Sequence, residues 1–169
     1  MGQATQLYYA EIPYCINGAW DFDKNSNKPL NLMFNYVYDM LSEIIEISIL
    51  SAGLDPNIGF WHKTYRRQKG LVSDILNQFK IYGEAVVINV INRGQVALKD
   101  FDDWNEGDAL PPIVVKALTK TFDQKMRARF QYPHLNFSCS YQEAIYVQVK
   151  QYYMYLLGEI DNYYCFELK

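Results

Sequence analysis

At 169 residues, half of them apolar and 16 % aromatic, the chain is long enough for one sizeable core and too rich in core-forming side chains to be disordered. Its longest apolar-rich run, Leu30 to Leu54, is interrupted by Asn35, Asp39, Glu43 and Glu46, which argues against a bilayer span, and the N-terminus lacks the basic and apolar blocks of a secretory signal. The formal net charge of −3 would argue against a polyanionic partner only if the charges were evenly spread, and they are not.

Residues 3 to 16 open with an apolar, tyrosine-rich pattern suited to a helix that stops near Pro13. Asn17 to Lys28 is polar, with Gly18, Asn25, Ser26 and Asn27, and reads as a loop. Pro29 then stands where a first helical residue is well tolerated. Leu30, Met33, Phe34, Val37, Leu41, Ile44, Ile45 and Ser48 follow at helical spacing. Ile47, Ile49 and Leu50 add apolar residues beyond one stripe, so the second half of this helix is expected to be buried nearly all round, with Gly53 as its cap and Pro56 as a stop.

Leu71, Val72, Ile75, Leu76 and Phe79 predict a further helix, leaving Ser73, Asp74 and Asn77 on a polar face. Glu84 to Asn92 is rich in Val and Ile, but Ala85, Ile88 and Ile91 keep helical spacing and no partner strand is evident, so helix is preferred up to Gly94. Asp100 to Pro112 reads as a polar, solvated loop whose carboxylate spacing matches no calcium loop. Helices are expected over about 113 to 130 and 140 to 157, the second carrying Ala144, Val147, Gln148, Gln151 and Tyr155 in one line and ending at Gly158. The expected fold is all-α, a single multi-helix domain over residues 1–169. Cys15, Cys139 and Cys165 are odd in number and far apart, and read as reduced packing thiols of a cytoplasmic protein rather than as a disulfide frame or zinc site.

Charge is segregated along the chain. No Asp or Glu lies between Pro56 and Ser73, where Lys63, Arg66, Arg67 and Lys69 cluster. A second basic block, Lys116, Lys120, Lys125, Arg127 and Arg129, is opposed only by Asp123. Each block alone could be a solvated face, and His62 beside Phe60 and Trp61 could be an ordinary histidine. Together, an imidazole, oxygen donors one helix turn apart at Asp74 and Asn77, and a basic loop between them suit a Mg²⁺ or Mn²⁺ site acting on a phosphodiester. Most of the tyrosines, Tyr36, Tyr146 and Tyr153 among them, read as helix-packing residues. Tyr65 within the basic loop is the candidate for stacking on a base.

Asn31, the Leu32–Tyr36 segment, GLDPNIGFWH from Gly53 and LVSDILNQFK from Leu71 follow one another in an order that resembles the C-terminal helical domain of CRISPR-associated protein 1. The resemblance runs along the whole chain: Gly2, Ala4 and Tyr8-Tyr9 are similar to the start of that domain, and Glu143 to Phe166 to its terminal helix and ending. It implies the integrase and endonuclease of spacer acquisition in antiviral defence, with metal-dependent DNA cleavage and strand transfer. It also implies DNA, a second copy and CRISPR-associated protein 2 as partners, and no membrane.

The resemblance places catalytic and metal-binding roles on His62 and Asp74, with Asn77 at a position where the family has an acid. The family's remaining ligand, a Glu, falls on Met1, and its N-terminal β-rich domain has no counterpart in this sequence. DNA contact is expected from Lys63, Arg66, Arg67 and Lys69, and from Lys120 and Arg127 in the second block. An amide in place of a carboxylate keeps an oxygen donor and loses the charge that holds a hard cation. The expectation is therefore a DNA-binding domain with weak or absent nuclease activity of its own, the alternatives being a non-catalytic regulatory fragment or a transposon-encoded integrase of the same superfamily.

Overall fold

A computed structural model of the chain describes residues 3–23, 26–62, 69–133 and 137–167. It is mostly helical, as expected. α1 spans Gln3–Glu11, α2 Pro29–Ser51, α3 Gly70–Asn92, α4 Pro112–Arg127 and α5 Tyr141–Leu156. Short 3-10 turns occupy Ile12–Cys15 and Leu98–Phe101. Among the described residues no helix is long and apolar enough to cross a membrane.

The two apolar runs around Leu71 and Glu84 merge into one helix, α3, of 23 residues. Gly83 is no break, because a glycine inside a helix weakens it by only about 1 kcal/mol and Val86, Val87 and Val90 on the turn beyond are buried. Where a stop was expected, the backbone supplies it: Gly53, Gly94 and Gly158 have φ of 76°, 65° and 72°, a left-handed conformation that favours glycine after a last helical turn.

The chain packs into two compact units, Met1–Val37 with Gly83–Phe122, and Tyr38–Tyr82 with Asp123–Lys169. In the first, Leu30, Met33, Val37, Val87, Val90, Val114 and Leu118 form the fully buried centre. Glu84 is also buried there, at 1 % exposure, and accepts a hydrogen bond from the Tyr8 hydroxyl. Burial first, and then that bond to Glu84, push the Tyr8 phenol well above its ordinary range.

In the second unit the core is built from Leu41, Ile45, Ile49, Leu71, Ile75, Phe79, Ala144, Ile145 and Val149. Ile47 and Leu50 depart from expectation: they are 65 % and 56 % exposed, so the second half of α2 buries one stripe rather than its whole circumference. Tyr146 and Tyr153, expected in helix packing, are also exposed, whereas Tyr36 is half-buried.

Two three-residue strands were not anticipated, β1 Arg129–Gln131 and β2 Ser138–Ser140, paired antiparallel with Phe130 opposite Cys139. They form just before a capping box that the sequence carries openly. Ser140 accepts from the Glu143 N–H at 3.2 Å and Glu143 accepts from the Ser140 N–H at 2.7 Å, which starts α5. The non-helical segment after Gly158 is stacked back onto α3, the Phe166 ring lying 4.6 Å from that of Phe79.

Gln148 on α5 has no exposed surface; its amide oxygen accepts from the Tyr132 hydroxyl at 2.7 Å and its amide nitrogen donates to the Tyr164 carbonyl at 2.7 Å. Gln148→Ala would remove the acceptor of the buried Tyr132 hydroxyl, at about 1–3 kcal/mol. Urea denaturation of this variant is expected to show a midpoint shift of that size, and an unchanged midpoint would mean that the C-terminal segment is not held through Gln148.

Candidate functional site

Residues 55 to 62 form a tight loop ahead of α3. The Asn57 N–H donates to Asp55 Oδ1 at 2.9 Å and the Ile58 N–H to the Asp55 carbonyl, which turns the chain. The Pro56 carbonyl accepts from the Leu71 N–H at 3.0 Å, so the loop also caps the start of α3.

Asp74, one turn into that helix, is not solvated as its position on a polar face suggested. Its side chain is fully buried, with Oδ2 accepting from the N–H groups of Phe60 at 2.7 Å and Trp61 at 2.9 Å. Oδ1 accepts from the His62 N–H at 3.0 Å and lies 2.5 Å from His62 Nδ1. A carboxylate that receives these donors can only accept, so His62 Nδ1 donates to it and Nε2 is the ring nitrogen left for other partners. The imidazole itself is 42 % exposed.

Gly59 and Gly70 permit the close fit. A Cβ at Gly59 would lie 2.6 Å from the Gly70 carbonyl carbon and 2.7 Å from Asp74 Oδ2, and would overlap the His62 carbonyl oxygen. A Cβ at Gly70 would overlap the same carbonyl and approach the Asn57 oxygen to 2.8 Å. Both contacts are mainly with backbone, which cannot swing aside as a flexible side chain can.

The ligand chemistry expected of a divalent ion is incomplete. Both oxygens of Asp74 are taken by four donors, an arrangement that fits a carboxylate orienting a histidine better than one binding a cation. Asn77, one turn further along α3, is exposed and supplies only a neutral amide oxygen. Among the described residues no three His, Cys, Asp or Glu side chains are grouped so as to hold a metal ion. His62, Asp74 and Asn77 therefore do not by themselves fit a Mg²⁺ or Mn²⁺ site.

The basic residues fall into two sets. Lys63, Arg66 and Arg67 lie outside the described residues, as does Tyr65. Lys69 is ion-paired with Glu46. On α4, Lys116 and Lys120 are exposed one turn apart, and Arg127, also exposed, pairs with Asp123 at 2.9 Å. Lys125 is engaged differently, its ammonium 4.3 Å from the centre of the Tyr141 ring. Exposed pairs such as Arg127–Asp123 are worth at most about 1 kcal/mol and can exchange for phosphate.

Sequence reasoning missed the aromatic surroundings of the loop. The Phe60 ring packs 5.1 Å from Tyr152 on α5 and 5.9 Å from Tyr163 in the C-terminal segment. Tyr163 is tied in turn to Gln78 at 2.9 Å, one α3 turn beyond Asp74. No local pattern links residues 85 positions apart, although Gln78 stands four residues after Asp74 and so shares its side of the helix.

Comparison with known proteins bears on the whole chain. The family profile described as CRISPR associated protein Cas1 matches residues 1–124. The chain belongs to the Cas1 family. It is 29 % identical over 171 residues to a CRISPR-associated endonuclease Cas1 of Chlorobaculum tepidum, a match that takes in 96 % of this chain and 50 % of that protein. The chain spans about half the length of the first curated Cas1 relatives it matches.

Solved structures agree on the fold. A casposase bound to its integration product superposes with a TM-score of 0.80 at 22 % identity, over 92 % of this chain and 48 % of that one. Part of a Cas6-RT-Cas1–Cas2 complex superposes with a TM-score of 0.79 at 19 % identity, over 99 % of this chain and 19 % of that one. At these identities the likeness is one of fold, and it fits the helical C-terminal Cas1 domain.

Two substitutions examine the loop. Gly59→Ala drives a methyl group into backbone and is expected to destabilise the chain by about 3 kcal/mol, the upper range for overpacking. Asp74→Ala leaves three N–H groups and an imidazole without their acceptor and is expected to cost at least as much. In ¹⁵N spectra, Asp74→Ala should also shift His62 away from the Nδ1-protonated tautomer, and a His62 signal unchanged in that variant would mean that Asp74 does not set the ring.

Proposed function

We propose that this chain is the DNA-binding, helical C-terminal domain of a Cas1 spacer-acquisition integrase, and that by itself it cleaves DNA weakly or not at all. The observation that carries this reading is Asp74: a buried carboxylate with both oxygens committed to the His62 loop. The loop of the family is kept in shape while the charge needed for a divalent ion is not assembled around it.

The geometry supports two roles for residues of this chain. His62, held through Nδ1, presents Nε2 as the nitrogen able to bind a cation or hand on a proton. Asp74 acts through His62 as a positioning residue. Mg²⁺ or Mn²⁺ would supply Lewis-acid chemistry at a phosphate, and would need carboxylates beyond His62, Asp74 and Asn77 to be held.

DNA contact rests on Lys63, Arg66 and Arg67 of the basic loop, with Lys69 once released from Glu46, and on the exposed Lys120 and Arg127 of α4. These are point charges and forks suited to phosphate rather than to base edges, so binding is sequence-independent. A second copy and Cas2 are the proposed protein partners. Family membership supports this, together with the fold shared with part of a complex whose name includes Cas1 and Cas2. The casposase likeness is of fold only, and the family match favours a CRISPR role over a mobile-element one.

Anisotropy titrations of a labelled duplex at several salt concentrations test the binding reading. Arg66→Ala/Arg67→Ala and Lys120→Ala/Arg127→Ala are each expected to weaken binding and to lower the slope of log K against log salt by roughly 0.9 per lost phosphate contact. Unchanged affinity and slope in both pairs would remove these residues from the account. With Mg²⁺ or Mn²⁺ added, cleavage of the same duplex should stay near the level of a blank reaction. Robust metal-dependent cleavage that disappears in His62→Ala would overturn the catalytic half of the proposal.

A further inference from the structure

The hydrogen bonds to Asp74 fix the backbone of residues 60 to 62, and the loop has little else of its own to hold it. Ile58 is 69 % exposed and Trp61 82 % exposed, so neither side chain anchors the loop by burial. Phe60, between them, turns its ring onto the second unit, against Tyr152 at 5.1 Å and Tyr163 at 5.9 Å.

Those two rings are themselves held. Tyr152 is buried on α5, and burial, then the Asp74 charge, push its phenol above the ordinary range, which sets this ring close to the carboxylate. Tyr163 meets Tyr152 edge-on at 5.4 Å, and its hydroxyl accepts from Gln78 Nε2 at 2.9 Å. Gln78 Oε1 accepts in turn from the Phe166 N–H at 3.0 Å, so one side chain of α3 clamps the C-terminal segment at two points. Gln78 follows Asp74 by about one helical turn. The loop is therefore gripped twice from α3, directly by Asp74 and, by way of Tyr163, from Gln78.

The two grips restrain different movements. A row of hydrogen bonds to one carboxylate sets where the N–H groups of residues 60 to 62 point, but a loop tied along one line can still rock about it. A ring packed to the side stops that rocking, and the Phe60 ring does so at a residue whose own N–H donates to Asp74 Oδ2 at 2.7 Å. The planes of Phe60 and Tyr163 meet at 69°, an edge-to-face contact whose strength depends on where both rings sit.

We propose that Tyr163 is a positioning residue for His62: its ring holds Phe60 in place and so keeps the His62 imidazole on Asp74. The proposal rests on the reading of His62 as the working nitrogen of the site, and adds to it a dependence of that nitrogen on the docked C-terminal segment.

NMR of the ¹⁵N-labelled 169-residue chain without DNA tests this through two readouts. One is the pair of His62 ring-nitrogen signals, assigned with His62→Gln. The other is amide exchange of Phe60, Trp61 and His62 relative to that of Ile75 in α3. Tyr163→Leu is expected to speed loop exchange roughly three- to tenfold relative to Ile75, the range for one aromatic pair. It should also move the His62 signals toward those of Asp74→Ala. Tyr163→Phe keeps the ring and should stay within about twofold of the unaltered chain on the same scale. Phe60→Leu removes the contact from the loop side, at a half-exposed position that does not threaten folding, and should reproduce both effects. The double leucine variant should go no further than Phe60→Leu, because both changes break one contact. Val114→Ala, a core change in the first unit, should lower stability without moving either readout. His62 signals that stay in place in both leucine variants, effects that add in the double variant, a Tyr163→Phe chain as perturbed as Tyr163→Leu, or the same changes in Val114→Ala would each overturn the proposal. Failure of the unaltered chain to bind DNA overturns the DNA-binding reading and leaves the positioning result standing, because neither readout contains DNA.

Discussion

The buried carboxylate of Asp74 is the constraint on which the rest of the second unit depends. Desolvating a carboxylate costs several kcal/mol, and here four donors offset the loss: three consecutive backbone N–H groups and one imidazole. Hydrogen bonds to a charged group contribute about 1.5–3 kcal/mol each, so the set can hold an otherwise irregular loop in one conformation. That conformation needs Gly59 and Gly70, because the chain passes too close to itself for a Cβ at either position.

The same interaction divides the chemistry of the site. A carboxylate with both oxygens turned inward orients His62 and fixes which ring nitrogen faces outward. Its oxygens, already accepting from four donors, are not placed to ligate a cation outside. Retention of the His62 loop in a chain that belongs to the Cas1 family is therefore compatible with the weak cleavage proposed for it.

Much of the fold was legible. Pro29 at the start of α2, glycines 53, 94 and 158 just beyond helix ends, and the spacing of Leu71, Ile75 and Phe79 are local signals backed by local physics. Other features were not. β1 and β2 are three residues each, too short for an alternating pattern to show. Ile47 and Leu50 carry apolar side chains on an exposed side of α2, which periodicity alone cannot distinguish from a buried one. Asp74 was named as a site residue from its spacing, but its burial and its four donors come from a loop that folds back over it.

By itself the sequence determined the helical class, the helix ends and the family, because each is carried by residues close together or in a characteristic order: Gly53 to His62 is such a run. Only the tertiary structure decided what those residues do together. Whether Asp74 faces solvent or a loop, whether Lys69 meets Glu46, and whether Phe60 finds Tyr152 and Tyr163 depend on contacts between residues 12 to 103 positions apart. Such pairings are set by how whole helices pack, and no local spacing rule carries that information.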